Sequence, residues 1–182
     1  GLANLATLED TPVTLTGIIV SDVESDPVAI TLAAGSSNTN LIADANIVFS
    51  GSGSNRSITI TPSADQFGTA ILTITAMDPE GATATRTFTV TVAPVNDPPT
   101  LASINNVTVN EDSGTRTVAL SGISAGPANE PQFLAFTATT SDPAWLTALA
   151  VSYVHPQSTG VLSFATAPDA NGTATITVTL DD

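Results

Sequence analysis

The 182-residue sequence has no lysine, no cysteine and a single histidine, and its only basic side chains are Arg56, Arg86 and Arg116. Without cysteine there is no disulfide framework, no thiolate metal site and no cysteine nucleophile. His155 alone leaves zinc chemistry and a histidine-dependent triad short of their ligands and base. Seventeen acids against three arginines give a net charge of −14. Such a chain cannot build the basic surface that nucleic acids require, nor one that anionic membranes attract. No run approaches the ~18 consecutive apolar residues of a membrane-spanning helix, so no membrane insertion is expected. Aromatic residues make up 4% of the chain, too few for a broad stacking platform. No leader segment is recognisable and the chain opens on Gly1 rather than Met. It therefore reads as a mature product or a piece of something longer.

Hydrophobic residues amount to 42%, and there are 30 threonines, most of them between Val, Ile or Leu. The spacing is two. Phe88, Val90 and Val92 alternate with Thr87, Thr89 and Thr91, and Ile176, Val178 and Leu180 alternate with threonines in the same way. Ile58 and Ile60 repeat the pattern with Thr59 and Thr61. Each run predicts a half-buried antiparallel strand whose β-branched residues suit a pleated surface. Glycine, proline, Asn and Asp fall between the runs, as in Asp78-Pro-Glu-Gly81. At Gly17 and Gly122 the alternation slips by one, which predicts a bulge or strand kink.

The sequence also repeats. Glu9-Asp10 followed by Val13, Leu15, Gly17 and Ile18 is answered by Glu111-Asp112 followed by Val118, Leu120, Gly122 and Ile123. The stretch Asp65–Ala70 is answered by Asp169–Ala174, and Leu72, Ile74 and Asp78 by Ile176, Val178 and Asp182. A period near 100 means tandem domains of one kind. The expected organisation is all-β: a β-sandwich over 1–95, an Asn-Asp-Pro-Pro linker over 96–100 and a second sandwich over 101–182. Strands are expected near 2–8, 12–20, 28–34, 46–50, 57–61, 69–77 and 82–93 in the first copy. In the second they are expected near 103–109, 116–124, 131–140, 148–154, 160–165 and 173–180. No run in the second copy answers 82–93. Truncation would explain that, and so would a strand supplied by a neighbouring chain.

Taken together, Glu9-Asp10-Thr-Pro, Ser21-Asp22-Val-Glu24, Gly68-Thr-Ala-Ile-Leu-Thr-Ile-Thr, Asp78-Pro-Glu-Gly81 and Val95-Asn-Asp-Pro-Pro-Thr resemble the cadherin-like and immunoglobulin-like tandem repeats of large bacterial surface proteins. In the second copy, Asn110-Glu-Asp, Leu120-Ser-Gly-Ile and Asn171-Gly-Thr-Ala-Thr-Ile-Thr-Val carry the same likeness. The resemblance implies strings of extracellular sandwiches, adhesive or stalk roles, and calcium between domains. Pro94 departs from the cadherin linker, where an aspartate would be expected.

Sandwich topology indicates which acids could meet. Glu9, Asp10 and Asp65 fall at the downstream pole of the first copy, with Asn96 and Asp97 directly after its last strand. Asn129, Glu130, Asp181 and Asp182 fall at the upstream pole of the second. Calcium takes six to eight oxygen ligands, and carboxylates crowded together without cations repel one another. Glu9, Asp10, Asp65, Asn96, Asp97, Glu130 and Asp182 are therefore the expected interdomain calcium ligands. Asp22, Glu24, Asp26, Asp78 and Glu80 form a half site at the other pole of the first copy. The competing reading makes the same residues turn formers, because Asp and Asn bond their own backbone.

The leading expectation is a non-catalytic spacer or adhesive shaft at the cell surface, whose partners are neighbouring repeats of the same or identical chains. A filament subunit completed by a donated strand is the second reading. A ligand-binding accessory module, with Trp145 and Tyr153 turned toward a surface or matrix ligand, is the third. In the packing alternative Trp145 fills a large gap in a valine-rich core.

Overall fold

A computed structural model of the chain describes residues 1–129 and 132–182. The chain divides into two units, Gly1–Val95 and Asn96–Asp182. Apart from one 3-10 turn at Asp44–Asn46, the regular structure of both units is strand.

Unit 1 contains β1 (Leu5–Leu8), β2 (Val13–Ile19), β3 (Thr31–Ser36), β4 (Ile47–Ser52), β5 (Asn55–Ile60), β6 (Gly68–Met77) and β7 (Thr83–Ala93). One sheet runs β1-β7-β6-β3 and the other β2-β5-β4. The period-two pattern puts one face of each strand inward. Phe88, Val90 and Val92 of β7, Ala70, Leu72 and Ile74 of β6, and Ile58 and Ile60 of β5 are all buried in one core. The threonines between them face outward or toward the rim. β7 is hydrogen-bonded on both sides: antiparallel to β6 from Gly68↔Val92 to Met77↔Thr83, and parallel to β1 from Leu5↔Val90 to Leu8↔Ala93. The register of β2 on β5 shifts between Leu15 and Ile18, and Gly17 within the shift takes φ 74°. That left-handed conformation costs glycine little and makes the expected bulge.

Unit 2 contains β8 (Thr115–Ser121), β9 (Ala135–Thr140), β10 (Leu146–Tyr153), β11 (Thr159–Thr166) and β12 (Ile176–Asp181). Here the sheets are β10-β11-β8 and β12-β9, matching β4-β5-β2 and β6-β3 of unit 1. Gly122 is left-handed at φ 65°, but it lies just past the end of β8, and the β8–β11 register runs without a shift. The bulge of this unit lies instead between Thr147 and Ala150 of β10, around Ala148 at φ 52°.

The strand expected over 103–109 does not form. The only ladder contact near it is an isolated bridge between Thr100 and Ser124. The cause is non-local. Residues 103–109 share with 1–7 the placing of Ile104, Asn106 and Val107 against Leu2, Asn4 and Leu5, but β1 is held by β7 alone, and no described strand of unit 2 occupies the β7 position. Without that partner an extended segment has nowhere to place its N–H and C=O groups except water.

The same absence thins the core. Ala70, Leu72 and Ile74 are buried, whereas their counterparts Ala174, Ile176 and Val178 are half-exposed. The buried cluster of unit 2 reduces to Leu120, Ile123 and Leu162, against fourteen residues in unit 1. Leu72→Ala should therefore cost unit 1 about 2–5 kcal/mol, the range for truncating a fully buried aliphatic. Its counterpart Ile176→Ala should cost unit 2 about 1 kcal/mol, typical of a partly exposed site. Denaturant unfolding of the full chain, followed through both units, checks the inequality; equal losses would contradict it.

Candidate functional site

The acids singled out by the sequence gather at three places within the two units. In unit 1, Glu9 and Asp10 close the turn after β1, and Asp65 lies in the turn between β5 and β6. Asp10 and Asp65 both adopt left-handed backbone, at φ 56° and 55°. The Asp65 N–H donates to Asp10 Oδ1 at 3.1 Å, pinning one turn to the other. Unit 2 repeats this latch: Asp112 and Asp169 take φ 56° and 55°, and the Asp169 N–H approaches Asp112 Oδ1 at 3.4 Å. Part of the acid signal in the sequence is therefore turn chemistry, as the competing reading held.

Glu9 behaves differently. It is only 3% exposed, the one buried charged residue among those described. Its N–H donates to the carbonyl of Ala93 at 2.9 Å, and its Oε1 accepts from the N–H of Val95. Glu9 thus grips the chain as it leaves β7. Its Oε2 is buried with no hydrogen-bond partner among the described residues. A buried carboxylate oxygen without a donor is costly, on the order of 1–3 kcal/mol or more. Nearer the start of the chain, Asn4 Oδ1 accepts from the Thr89 N–H of β7 at 3.0 Å. Asn4 and Glu9 are therefore two side-chain acceptors for backbone N–H groups, one within β7 and one two residues beyond its end.

At the opposite end of unit 1, the Asp22, Glu24 and Asp26 loop meets the Asp78-Glu80 turn. Ser25 Oγ donates to Glu80 Oε2 at 3.1 Å, while the Ser25 N–H donates to Asp22 Oδ2 at 3.0 Å. Asp26 Oδ1 accepts from Val28, and Asp78 Oδ1 from Ala82, each through a backbone N–H. Glu24 stands exposed in the same loop.

In unit 2, Asn96 Nδ2 donates to both carboxylate oxygens of Asp182, at 3.4 and 3.3 Å. The Gln132 side-chain amide reaches Asn96 Oδ1. Asp97 is half-buried, and Asp181 closes β12. Glu130 lies outside the described residues. Among the described residues, no group of three or more His, Cys, Asp or Glu side chains is positioned to hold a metal ion.

Trp145 is half-buried, with its indole against Gly172. A Cβ at that position would sit 1.8 Å from the indole, so only glycine admits the ring. Tyr153 packs on Phe136, with ring centroids 5.1 Å apart. His155 is exposed and lies 4.9 Å from the exposed ring of Phe133. Trp145 and Tyr153 are each engaged with a neighbour, which fits the packing alternative.

Sequence reading missed three features: the grip of Glu9 on β7, the pairing of Asn4 with Thr89, and the seat of Trp145 on Gly172. The first two had a signal. Asn4 and Glu9 recur as Asn106 and Glu111 at one common offset within the repeat.

Residues 2–91, nearly the whole of unit 1, match the family model of the bacterial Ig domain. The whole chain is similar in structure to the ectodomain of human desmocollin-1, at 12% identity and TM-score 0.42, covering 99% of this chain and 33% of that one. It is also similar to domains 4–9 of the surface layer protein SbsC, at 15% identity and TM-score 0.39, covering 97% and 28%. A third likeness is to the titin Ig tandem A164-A165, at 10% identity and TM-score 0.35, covering 100% and 91%. The chain thus spans about a third of the first two structures it matches. No curated protein sequence matches it.

One titration follows from the Asp22 loop. The Ser25 hydroxyl, aided by the backbone N–H groups of Val23 and Ser25, holds the Asp22 carboxyl below its ordinary value of 3.8. That hydroxyl has one proton and two acceptors, Asp22 and Glu80. Because the folded value is depressed, the stabilisation Asp22 provides is complete above the ordinary value and disappears as pH falls through the lowered one. In Ser25→Ala the Asp22 titration, followed by carboxyl carbon NMR, should move up toward 3.8 without fully reaching it, because the backbone donors remain. An unmoved titration would remove the hydroxyl from the account.

Proposed function

We propose that the chain is a structural segment of a larger bacterial surface protein, a spacer or adhesive shaft assembled from Ig-type sandwiches and working outside the cell. The observation that carries this reading is the internal repeat, in which two units share strand order and the same Asp–Asp latch, together with the match of residues 2–91 to the bacterial Ig domain. The mechanism is mechanical. Each sandwich is a preformed element, and the chain gains length by adding another. This role uses no reacting group.

Calcium belongs to the same proposal. The carboxylates and amides near the end of unit 1 and the start of unit 2 are hard oxygen donors of the kind calcium takes. The buried, unpartnered Oε2 of Glu9 is what supports a cation at that end of unit 1; Asp10 and Asp65 lie on the adjoining turns but do not form a preassembled three-acid group with it. In unit 2 the donors on this reading are Asn96, Asp97 and Asp182, to which the sequence adds Glu130. The ion would neutralise carboxylates that no lysine is present to balance.

Calcium titration at fixed ionic strength tests this, because plain screening also relieves a charge of −14. An extracellular-type affinity of roughly 10⁻⁴–10⁻³ M makes 10 mM calcium worth about 1.4–2.7 kcal/mol of added stability. The gain should appear as a raised Tm that matched sodium chloride does not reproduce. Glu9→Gln keeps an acceptor for Val95 and removes the charge, and it should lose most of the gain, as should Asp97→Ala. A Tm that ignores calcium would end the calcium proposal and leave the spacer reading to other tests.

A further inference from the structure

The strands of this acidic chain carry almost none of its negative charge. Among the described residues Asp181 is the only acid within a strand, and it closes β12; the other described acids lie outside the strands. On β7 the one charged residue, Arg86, is in step with Phe88 and Val90 and belongs to the inward set. The outward face of the β1-β7-β6-β3 sheet in unit 1 therefore carries no charge. Most of it is threonine, and among the threonines stand Leu8, Ile71 and Met77, exposed by 50%, 50% and 45%.

The two flanks of unit 1 differ in what their hydroxyls do. On the β2-β5-β4 sheet, Thr14 and Thr59 bond each other at 3.0 Å, and Ser50 and Ser57 at 2.7 Å. On the β1-β7-β6-β3 sheet, the cross-strand pairs Thr73↔Thr87 and Thr75↔Thr85 form no side-chain hydrogen bond among the described residues. Their donors and acceptors stay available. Ile71 is fixed beside them: its N–H donates to Ser37 Oγ at 2.8 Å, and its carbonyl accepts from the Ser37 N–H at 2.9 Å. A hydroxyl both donates and accepts, so a threonine face complements a copy of itself, as a carboxylate face cannot.

We propose that this face is a self-association surface, on which a second copy of the chain packs sheet against sheet about a two-fold axis. Charge selects the occupant. Two chains of net charge −14 repel each other, and the repulsion is least where the acids are farthest away. A basic partner is drawn to the acidic loops instead, and a sugar ring finds no aromatic side chain on this face to stack on. The area agrees with a weak contact. Strands of 4, 11, 10 and 6 residues, at about 3.4 Å per residue and about 4.8 Å between strands, cover about 500 Å². Two such faces bury about 1,000 Å² in all, the size of a transient interface. Ile71 and Met77 are the apolar anchors, and the threonines of β6 and β7 surround them. The proposal concerns the surface of unit 1 and does not depend on the spacer role.

Sedimentation of the full chain with a chelator present, at concentrations up to about 1 mM, tests this in the range of weak interfaces. The expected result is a reversible monomer–dimer equilibrium. It should tighten as sodium chloride rises from about 0.01 to 0.1 M, because the Debye length falls from about 30 to 10 Å and the repulsion between copies is screened. Ile71→Glu should weaken the dimer at least tenfold, since two like charges then meet in the contact. Thr87→Glu, on the fully outward side of β7, should do the same. Thr16→Glu adds an equal charge to the opposite sheet and should leave the dimer unchanged. All three positions are exposed, and an unchanged circular dichroism spectrum verifies that the variants fold. Methyl NMR signals of Ile71 and Met77 should shift with chain concentration. A chain that stays monomeric throughout overturns the proposal. So does a dimer that loosens as salt is added, one that Ile71→Glu and Thr87→Glu leave intact, or one whose concentration-dependent shifts fall in unit 2 alone.

Discussion

The two ladders of β7 determine most of what distinguishes one unit from the other. In unit 1 this strand satisfies the free edge of β6, gives β1 its only partner and brings Phe88, Val90 and Val92 into the core. Where no strand stands in that position, three things follow together in unit 2. Residues 103–109 stay out of the sheet, the inward face of β12 is half-exposed, and the acceptors Asn106 and Glu111 line open space. A sheet is a cooperative object, and omitting one strand exposes backbone on both of its neighbours.

Much of the fold was legible because its signal is local. Threonine alternating with Val, Ile or Phe marked runs such as 58–61, 87–92 and 175–180, short apolar runs between Gly, Pro, Asn and Asp marked the other strands, and Gly17 marked its bulge. The strand expected at 103–109 failed for the opposite reason: its local pattern resembles that around β1, and what decides its fate lies far away in sequence. The bulge at Ala148 left no trace, since alanine carries no turn signal and its left-handed φ is imposed by the register of β10 on β11. Candidate site residues were legible as a set of acids at loop positions, and within unit 1 the loops expected to share a pole do meet. What each acid does was not legible. Asp10 and Asp112 turned out to pin neighbouring turns, while Glu9 is buried against the end of a strand. One sequence pattern, Glu-Asp, contains both roles, and burial separates them.

The repeat itself is a source of physical information that neither copy gives alone. Glu9 and Glu111 occupy matched positions, one buried and holding a backbone, the other exposed. The Asp–Asp latch occurs in both copies whether or not the neighbouring strand is in place, so it does not depend on a complete sheet.

The direction of β1 on β7 has a mechanical meaning. The two strands run parallel, so the start of β1 at Leu5 and the end of β7 at Ala93 lie at opposite ends of their ladder. Tension applied through those two points pulls the strands past each other along their length. The hydrogen bonds of that ladder are then loaded together in shear, and they cannot be peeled open one at a time from an end. Glu9, fastened to the backbone of Ala93 and Val95, anchors the ladder where the load leaves it. A unit wired in this way resists stretching far better than its four-residue first strand would suggest, because force must break every bond of the ladder at once.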